Sequence, residues 1–330
     1  MKKGIFSIVF FLIMLSSVSA ITFKKYYDSS RYYIKLNNNL LTNPAFTGFN
    51  NHFVLSNGIG FYTPDIPAIE GTNKPKDYHY SAEISFGKLL SYSFGISRMI
   101  KDEAAFSSED LNVAFSISLQ TLKFGNFRIG ASGSSYTYDL DFSNITFGDM
   151  IDPKLGFVKA SAEVFPANGE SGLSLERYNA GFFYAYKNIF YLGYSKLDIN
   201  EPLISFYMDN QITLHAKTVI TAGGDIPVNK DFDISVSALI QKTSYYDITQ
   251  IKPSLGLGYK SKYYFSGGIN LINSDLISYF IQLDANLFNF ATIAFNYELL
   301  KDNYFSNSLS PSFWGFSSSF YIDRFIKYKK

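Results

Sequence analysis

The chain has 330 residues, 47% of them hydrophobic and 18% aromatic, yet only 17% charged, where an ordinary soluble domain is roughly a quarter charged. Its net charge of +1 gives no argument for nucleic acid or for an acidic partner surface. Cysteine is absent, which excludes a disulfide framework, a thiolate nucleophile, a cysteine metal site and a lipid anchor on an N-terminal cysteine.

In chain order, Lys2 and Lys3 precede an apolar core from Ile5 to Leu15, and Val18-Ser19-Ala20 supplies small residues for cleavage. Residues 1–20 therefore read as a signal peptide, with the mature chain starting near Ile21. The apolar core is shorter than the roughly 20 residues of a spanning helix. Residues 21–47 follow as an N-terminal periplasmic or plug segment with an NPAF turn, which lies within LLTNPAFTG, Leu40 to Gly48. Pro44 pushes Asn43 towards an extended backbone, the Asn43 side chain can bond to backbone two residues on, and Gly48 can take a positive φ. The stretch reads as a rigid turn that delivers Phe46 to one fixed place.

From about His52 to Tyr321 the hydrophobicity has a period of two. Leu111, Val113, Phe115, Ile117 and Leu119 alternate with Asn112, Ala114, Ser116, Ser118 and Gln120, and the stretches 277–287 and 291–299 repeat the pattern. A secreted β-sandwich would alternate too. Runs of about nine to eleven residues suit a tilted bilayer crossing, and aromatic residues gather at their ends, as in Tyr78-His79-Tyr80 and Tyr263-Tyr264-Phe265. A closed barrel is the strand architecture that satisfies its backbone in lipid. The expectation is all-β: an antiparallel outer-membrane barrel over residues 48–322, with room for roughly 12 to 16 strands at about ten residues per crossing, and a basic tail at 323–330.

Gly87-Lys88, Lys187-Asn188 and Ser261-Lys262 look like periplasmic hairpin turns, and the longer connections at 63–77, 141–176 and 301–312 like loops of the other side. Glu83, Arg128 and Asp284 alternate with small or polar neighbours and should point into the lumen, because a basic residue facing lipid near the midplane costs roughly 2 to 4 kcal/mol. Two arrangements stay open on these residues: a polar plug made with Ile21 to Thr42, or solvated charges lining an open channel. His52, His79 and His215 stand far apart without metal-ligand spacing, and the glycine pairs lack a phosphate-loop pattern. The expectation is a non-enzymatic protein with no cofactor and no nucleic-acid partner, surrounded by outer-membrane lipid.

The NPAFTG turn after a signal-like segment resembles the PorP/SprF family of Bacteroidetes outer-membrane proteins. Tyr178 to Pro202 is similar to that family's central hairpin, and Ile145 to Phe157 to its Phe-Gly-Asp segment with a following Asp-Pro and Gly. Leu214-His215-Ala216 stands where the family often has Leu-His-Ala-Gly; here Lys217 replaces the glycine, and Lys196-Leu197-Asp198 replaces a frequent histidine. The resemblance implies a 14-stranded barrel of the type IX secretion and gliding-motility machinery. Such a barrel docks periplasmic components and assists export or surface retention of proteins with C-terminal sorting domains, such as adhesins. The positions it picks out for partner or structural roles are Asn43, Pro44, Phe46 and Gly48, and an ordered loop at Phe147, Gly148, Asp149, Asp152 and Pro153. An Asn-Pro-Ala turn before an aromatic-rich barrel also resembles outer-membrane transporters of fatty acids and hydrocarbons, which have longer N-terminal hatch domains. That is the alternative function.

Overall fold

A computed structural model describes residues 39–49, 53–63, 76–87, 89–103, 106–121, 125–140, 151–152, 156–157, 172–186, 189–204, 212–245, 248–260, 262–287, 290–300 and 312–324. The segment 1–38, His52, Phe147, Gly148, Asp149, Pro153 and the tail from residue 325 lie outside them, and with them the signal peptide.

The strands are β1 Val54–Thr63, β2 Lys76–Gly87, β3 Leu90–Glu103, β4 Phe106–Thr121, β5 Gly125–Leu140, β6 Ile151–Asp152, β7 Gly156–Phe157, β8 Gly172–Tyr186 and β9 Phe190–Leu197. They continue as β10 Leu203–Ile204, β11 Ile212–Thr213, β12 Lys217–Pro227, β13 Phe232–Thr243, β14 Thr249–Tyr259, β15 Tyr263–Ile272, β16 Asp275–Leu287, β17 Ala291–Leu300 and β18 Ser312–Tyr321. Fourteen of them close an antiparallel barrel in the order β1-β18-β17-β16-β15-β14-β13-β12-β9-β8-β5-β4-β3-β2. β6–β7 and β10–β11 form separate two-stranded hairpins in the connections.

The period of two in the sequence becomes the two faces of the wall. On β3, Ser91, Ser93 and Ser97 are buried on the lumen side while Tyr92, Phe94 and Ile96 stand exposed outside. β9 alternates without a break from Phe190 outside to Leu197 inside. In lipid the exposed rings cost nothing, and closure leaves no unpaired edge. The aromatic clusters split the same way: His79 and Tyr264 are buried in the lumen, whereas Tyr80, Tyr263 and Phe265 face out.

The joints after β2, β4, β8, β12, β14 and β16 are short and share one end with the start of β1 and the finish of β18. The long connections gather at the other end. Short periplasmic turns and long extracellular loops are the rule for such barrels, so the short-joint end faces the periplasm.

One length expectation needs correcting. β4 and β5 have 16 residues each, beyond the nine to eleven read from the pattern. On the outer face near the extracellular ends of β3 and β4, Arg98 on β3 donates from Nε and Nη2 to both carboxylate oxygens of Glu109 on β4, at 2.8 and 2.9 Å. A basic residue in mid-bilayer would cost roughly 2 to 4 kcal/mol. This pair therefore stands above the hydrocarbon, and the wall there projects beyond the membrane.

Candidate functional site: a turn held in the barrel lumen

Asn39–Thr42 forms one helical turn, and a 3-10 turn, Pro44–Phe46, follows at once. Asn43 caps the second turn: its backbone is extended (φ −153°, ψ 111°), and its Oδ1 accepts the Ala45 N–H at 2.9 Å. Pro44 needs no N–H at the first position of a helical turn, and Thr47 Oγ1 donates back to the Pro44 carbonyl at 2.7 Å. Gly48 takes φ +63° and turns the chain towards β1.

The barrel wall completes what the turn leaves unpaired. Asn43 Nδ2 donates to the carbonyls of Phe182 on β8 (3.1 Å) and Tyr194 on β9 (3.4 Å). Arg128 on β5 donates from Nε to the Ala45 carbonyl (3.0 Å) and from Nη2 to the Thr47 carbonyl (2.6 Å). Ser116 on β4 donates to the same Thr47 carbonyl, and Ser195 on β9 to that of Thr42. The Gly48 N–H donates to Glu83 Oε2 on β2 at 2.7 Å. Arg128 is fully buried, the largest side chain so enclosed among the described residues. Carbonyls and hydroxyls take up its Nε and Nη2 donors, which offsets much of the cost of burying a guanidinium, while Nη1 is buried without a hydrogen-bond partner.

Apolar packing sets the other half of the site. Phe46 lies 4.7 Å from the Phe183 ring and 6.1 Å from Phe49, and Phe183 stacks on Tyr191 at 6.1 Å. The Arg128 guanidinium sits 5.6 Å from the centre of the Phe49 ring. The turn comes this close because the wall beneath it is glycine. A Cβ on Gly130 would lie 2.4 Å from the Pro44 carbonyl oxygen, and one on Gly181 2.0 Å from Asn43 Oδ1. These two glycines pair across β5 and β8. Sequence reading missed this cradle. Its signal was present, since Gly130, Gly181 and Gly193 all fall on the lumen face, but the segment that fills it is far away in the chain.

Glu83 and Arg128 thus both meet the turn, whereas Asp284 stands on the opposite wall, where the Gln282 amide donates to both its oxygens at 2.9 and 2.8 Å. Asp152 lies in the small β6–β7 hairpin, apart from the barrel sheet. A second polar layer, also missed, lies nearer the extracellular end: Arg177 binds Asp110 at 2.8 Å and also Asp198. The two places that depart from the family pattern are neighbours, because Lys217 pairs with Leu197 across β12 and β9.

Beyond the bilayer, the Ala216 N–H donates to Glu201 Oε1 at 3.0 Å, with Ser244 Oγ at 3.3 Å and His215 Nδ1 at 4.0 Å. The Ala216 N–H first of all, then Ser244 and His215, hold the Glu201 carboxyl below its ordinary range. A lowered folded value means that this tie is fully present above the unfolded value of about 4.3 and is lost as pH falls through the folded one. The protection of the Ala216 amide, taken relative to its intrinsic exchange rate at each pH, is expected to fall below about pH 4, while that of Thr221 inside β12 is unchanged. An equal fall at both would refute the local tie.

No group of three His, Cys, Asp or Glu that could hold a metal occurs among the described residues. Nor is any helix among them long and apolar enough to cross a membrane. The wall, the lumen turn and the glycine cradle are what the known proteins can be compared with. A family model described as type IX secretion system membrane protein PorP/SprF matches residues 25–313. The chain belongs to the PorP/SprF family. It is accordingly an outer-membrane component of type IX secretion, with the family and fold of a secretion or transport barrel.

No curated protein matches the sequence. Among solved structures, the toluene transporter TodX of P. putida is similar at 12% identity over 88% of this chain and 94% of that one, with a TM-score of 0.51. Omp33 of Acinetobacter baumannii matches at 9% identity over 82% and 98%, with a TM-score of 0.47. At this identity the likeness of TodX to this PorP/SprF protein is one of barrel fold.

Proposed function

We propose that this PorP/SprF barrel is a non-enzymatic docking component of the type IX secretion and gliding-motility machinery. It engages periplasmic components from its short-joint end and assists export or surface retention of proteins with C-terminal sorting domains, adhesins among them. The observation that carries the reading is the lumen turn around Asn43, Pro44, Phe46 and Gly48: Asn43 bonds to the carbonyls of Phe182 and Tyr194, Ser195, Arg128 and Ser116 hold the carbonyls of Thr42, Ala45 and Thr47, and Glu83 holds the Gly48 N–H. A segment fixed in this way is a polar plug with a rigid attachment, suited to holding a partner at the periplasmic mouth and ill suited to an open pore. The loop at Phe147, Gly148, Asp149, Asp152 and Pro153 is assigned a partner role on the other side, and the paired departures at Lys217 and Lys196 to Asp198 are assigned to partner choice.

The hydrocarbon-transporter alternative asks for an apolar lumen. Here the buried lumen wall includes Ser93, Asn112, Ser116, Gln282 and Asn296, polar groups that hydrocarbon would leave unpaired.

The test replaces Asn43 and Pro44 together by alanine. Loss of an N-cap alone costs about 1 kcal/mol, which loosens the turn and leaves the barrel ladder untouched. Heat-modifiable gel mobility should therefore be unchanged, while crosslinking of identified secretion-system components and sorting-domain proteins falls several-fold. Normal crosslinking by a folded variant would return the turn to plain architecture.

A further inference from the structure

A barrel wall is normally convex outside, yet part of this one is hollowed. Outward side chains of six neighbouring strands, β14, β15, β16, β17, β18 and β1, line one depression of about 670 Å³. Leu257, Phe265, Leu283, Ile293, Phe295 and Phe316 form it, and the buried Tyr264, Asp284, Ala294 and Ser317 between them also border it.

Its height within the membrane decides what fits. Every lining residue lies within five residues of the periplasmic end of its strand: Ile59 and Phe316 are the deepest, and Tyr259 and Tyr263 stand at the rim. Five residues at about 3.3 Å each, tilted by about 40°, rise roughly 13 Å. That is close to one leaflet of a hydrocarbon core about 30 Å thick. A partner's transmembrane helix would run the full thickness and meet the hollow along half its length only. An acyl chain of the periplasmic leaflet matches it from rim to floor.

Two polar features fit the rest of such a lipid. On the lipid-facing wall of the hollow, Ser318 Oγ donates to Asn57 Oδ1 at 3.0 Å, which leaves the Asn57 amide N–H groups facing hydrocarbon. A polar group in lipid without an acceptor is costly, and the ester carbonyl of a glycerolipid is the acceptor that the bilayer itself supplies. At the rim, the turn between Tyr259 and Tyr263 carries Lys260 and Lys262, and the Lys260 ammonium lies 5.1 Å from the centre of the Tyr259 ring. Basic residues beside interfacial tyrosines suit an anionic headgroup.

We propose that this hollow is a binding site for an anionic glycerophospholipid of the periplasmic leaflet, its tails against Leu283, Ile293 and Phe295 and its headgroup on Lys260 and Lys262. The site is independent of the secretion reading.

The test is native mass spectrometry of the purified full-length barrel released from detergent after incubation with phosphatidylglycerol or phosphatidylcholine. Wild type should retain phosphatidylglycerol several-fold more than phosphatidylcholine. The pair Ala285→Trp and Ile293→Trp fills the hollow from the lipid face and should abolish retention of both lipids. The pair Lys260→Glu and Lys262→Glu should remove the preference and keep the tails. Folding of each variant is read from heat-modifiable mobility, and Ile129→Trp on the outer face of β5, across the ring from β16, is the control expected to bind normally. Retention by the filled barrel equal to wild type, equal retention of the two lipids by wild type, or a dimer that the tryptophans dissolve would each overturn the proposal.

Discussion

Arg128→Met should open the barrel. In planar bilayers the wild-type protein is expected to show rare, small conductance events and the variant large, steady openings. Arg128 is completely buried and holds the turn through two carbonyls, those of Ala45 and Thr47, while it also meets Ser93 and Ser116. Methionine keeps much of the volume but leaves those carbonyls without their charged donor and Glu83 without a nearby cation. Removing one member of a buried charged arrangement costs about 3 to 5 kcal/mol. At about 1.4 kcal/mol per factor of ten, the ratio of seated to released turn falls by two to four orders of magnitude. The released segment should also become a protease target. Glu83→Gln keeps an acceptor for the Gly48 N–H and should open the barrel far less. Steady openings of the same size in wild type would refute the closed lumen, and a silent Arg128→Met would refute the part given to the guanidinium.

Gly130→Ala should unseat the turn with a single methyl group. Glycine inside a strand normally costs roughly 0.5 to 1 kcal/mol relative to alanine, so the substitution would ordinarily stabilise. Here the new Cβ would lie 2.4 Å from the Pro44 oxygen, 2.5 Å from its carbon and 2.6 Å from the Ala45 nitrogen, all backbone atoms of a fastened turn. Overpacking of this kind costs about 1 to 3 kcal/mol, and the sign reverses. Gly133→Ala on the same strand is the comparison, because its Cβ would meet the Tyr178 ring at 3.6 Å, an ordinary contact. Gly130→Ala should unfold at a lower temperature and expose the N-terminal segment to protease, whereas Gly133→Ala should unfold at the same or a slightly higher temperature and leave protease access unchanged. If both variants behave alike, the cradle is not what positions the turn.

These effects show where sequence reading reaches and where it stops. Alternation such as Leu111 to Gln120 carries both faces of a strand in ten residues, so the antiparallel barrel and its short-joint end were legible. The Asn43-Pro44 step and Gly48 state their own backbone preferences. The cradle does not: Gly130, Gly181 and Gly193 look like any small lumen residues until the turn is laid against them. Asp110, Arg177 and Asp198 are likewise scattered over three segments and meet through strand register alone. The hollow outer face was also beyond reach, because Leu257, Phe265 and Phe316 look like ordinary lipid-facing positions and the bend of the wall is a property of six strands together. The 16-residue strands were underestimated because the clear alternation of Leu111 to Gln120 covers only ten of the residues of β4, Phe106–Thr121.

The polar contacts of the lumen turn also bear on how the wall is made. Its hydrogen-bonding partners lie on β2, β4, β5, β8 and β9, whereas the ring is closed by β1 against β18, joined at the Ser56 and Ser319 hydroxyls across 263 positions of chain. The turn is thereby placed to serve as a mandrel: if strands from the first part of the chain gather on it before the last seam zips, it sets the curvature of the half-formed sheet, and a chain that closed first would shut its own former outside.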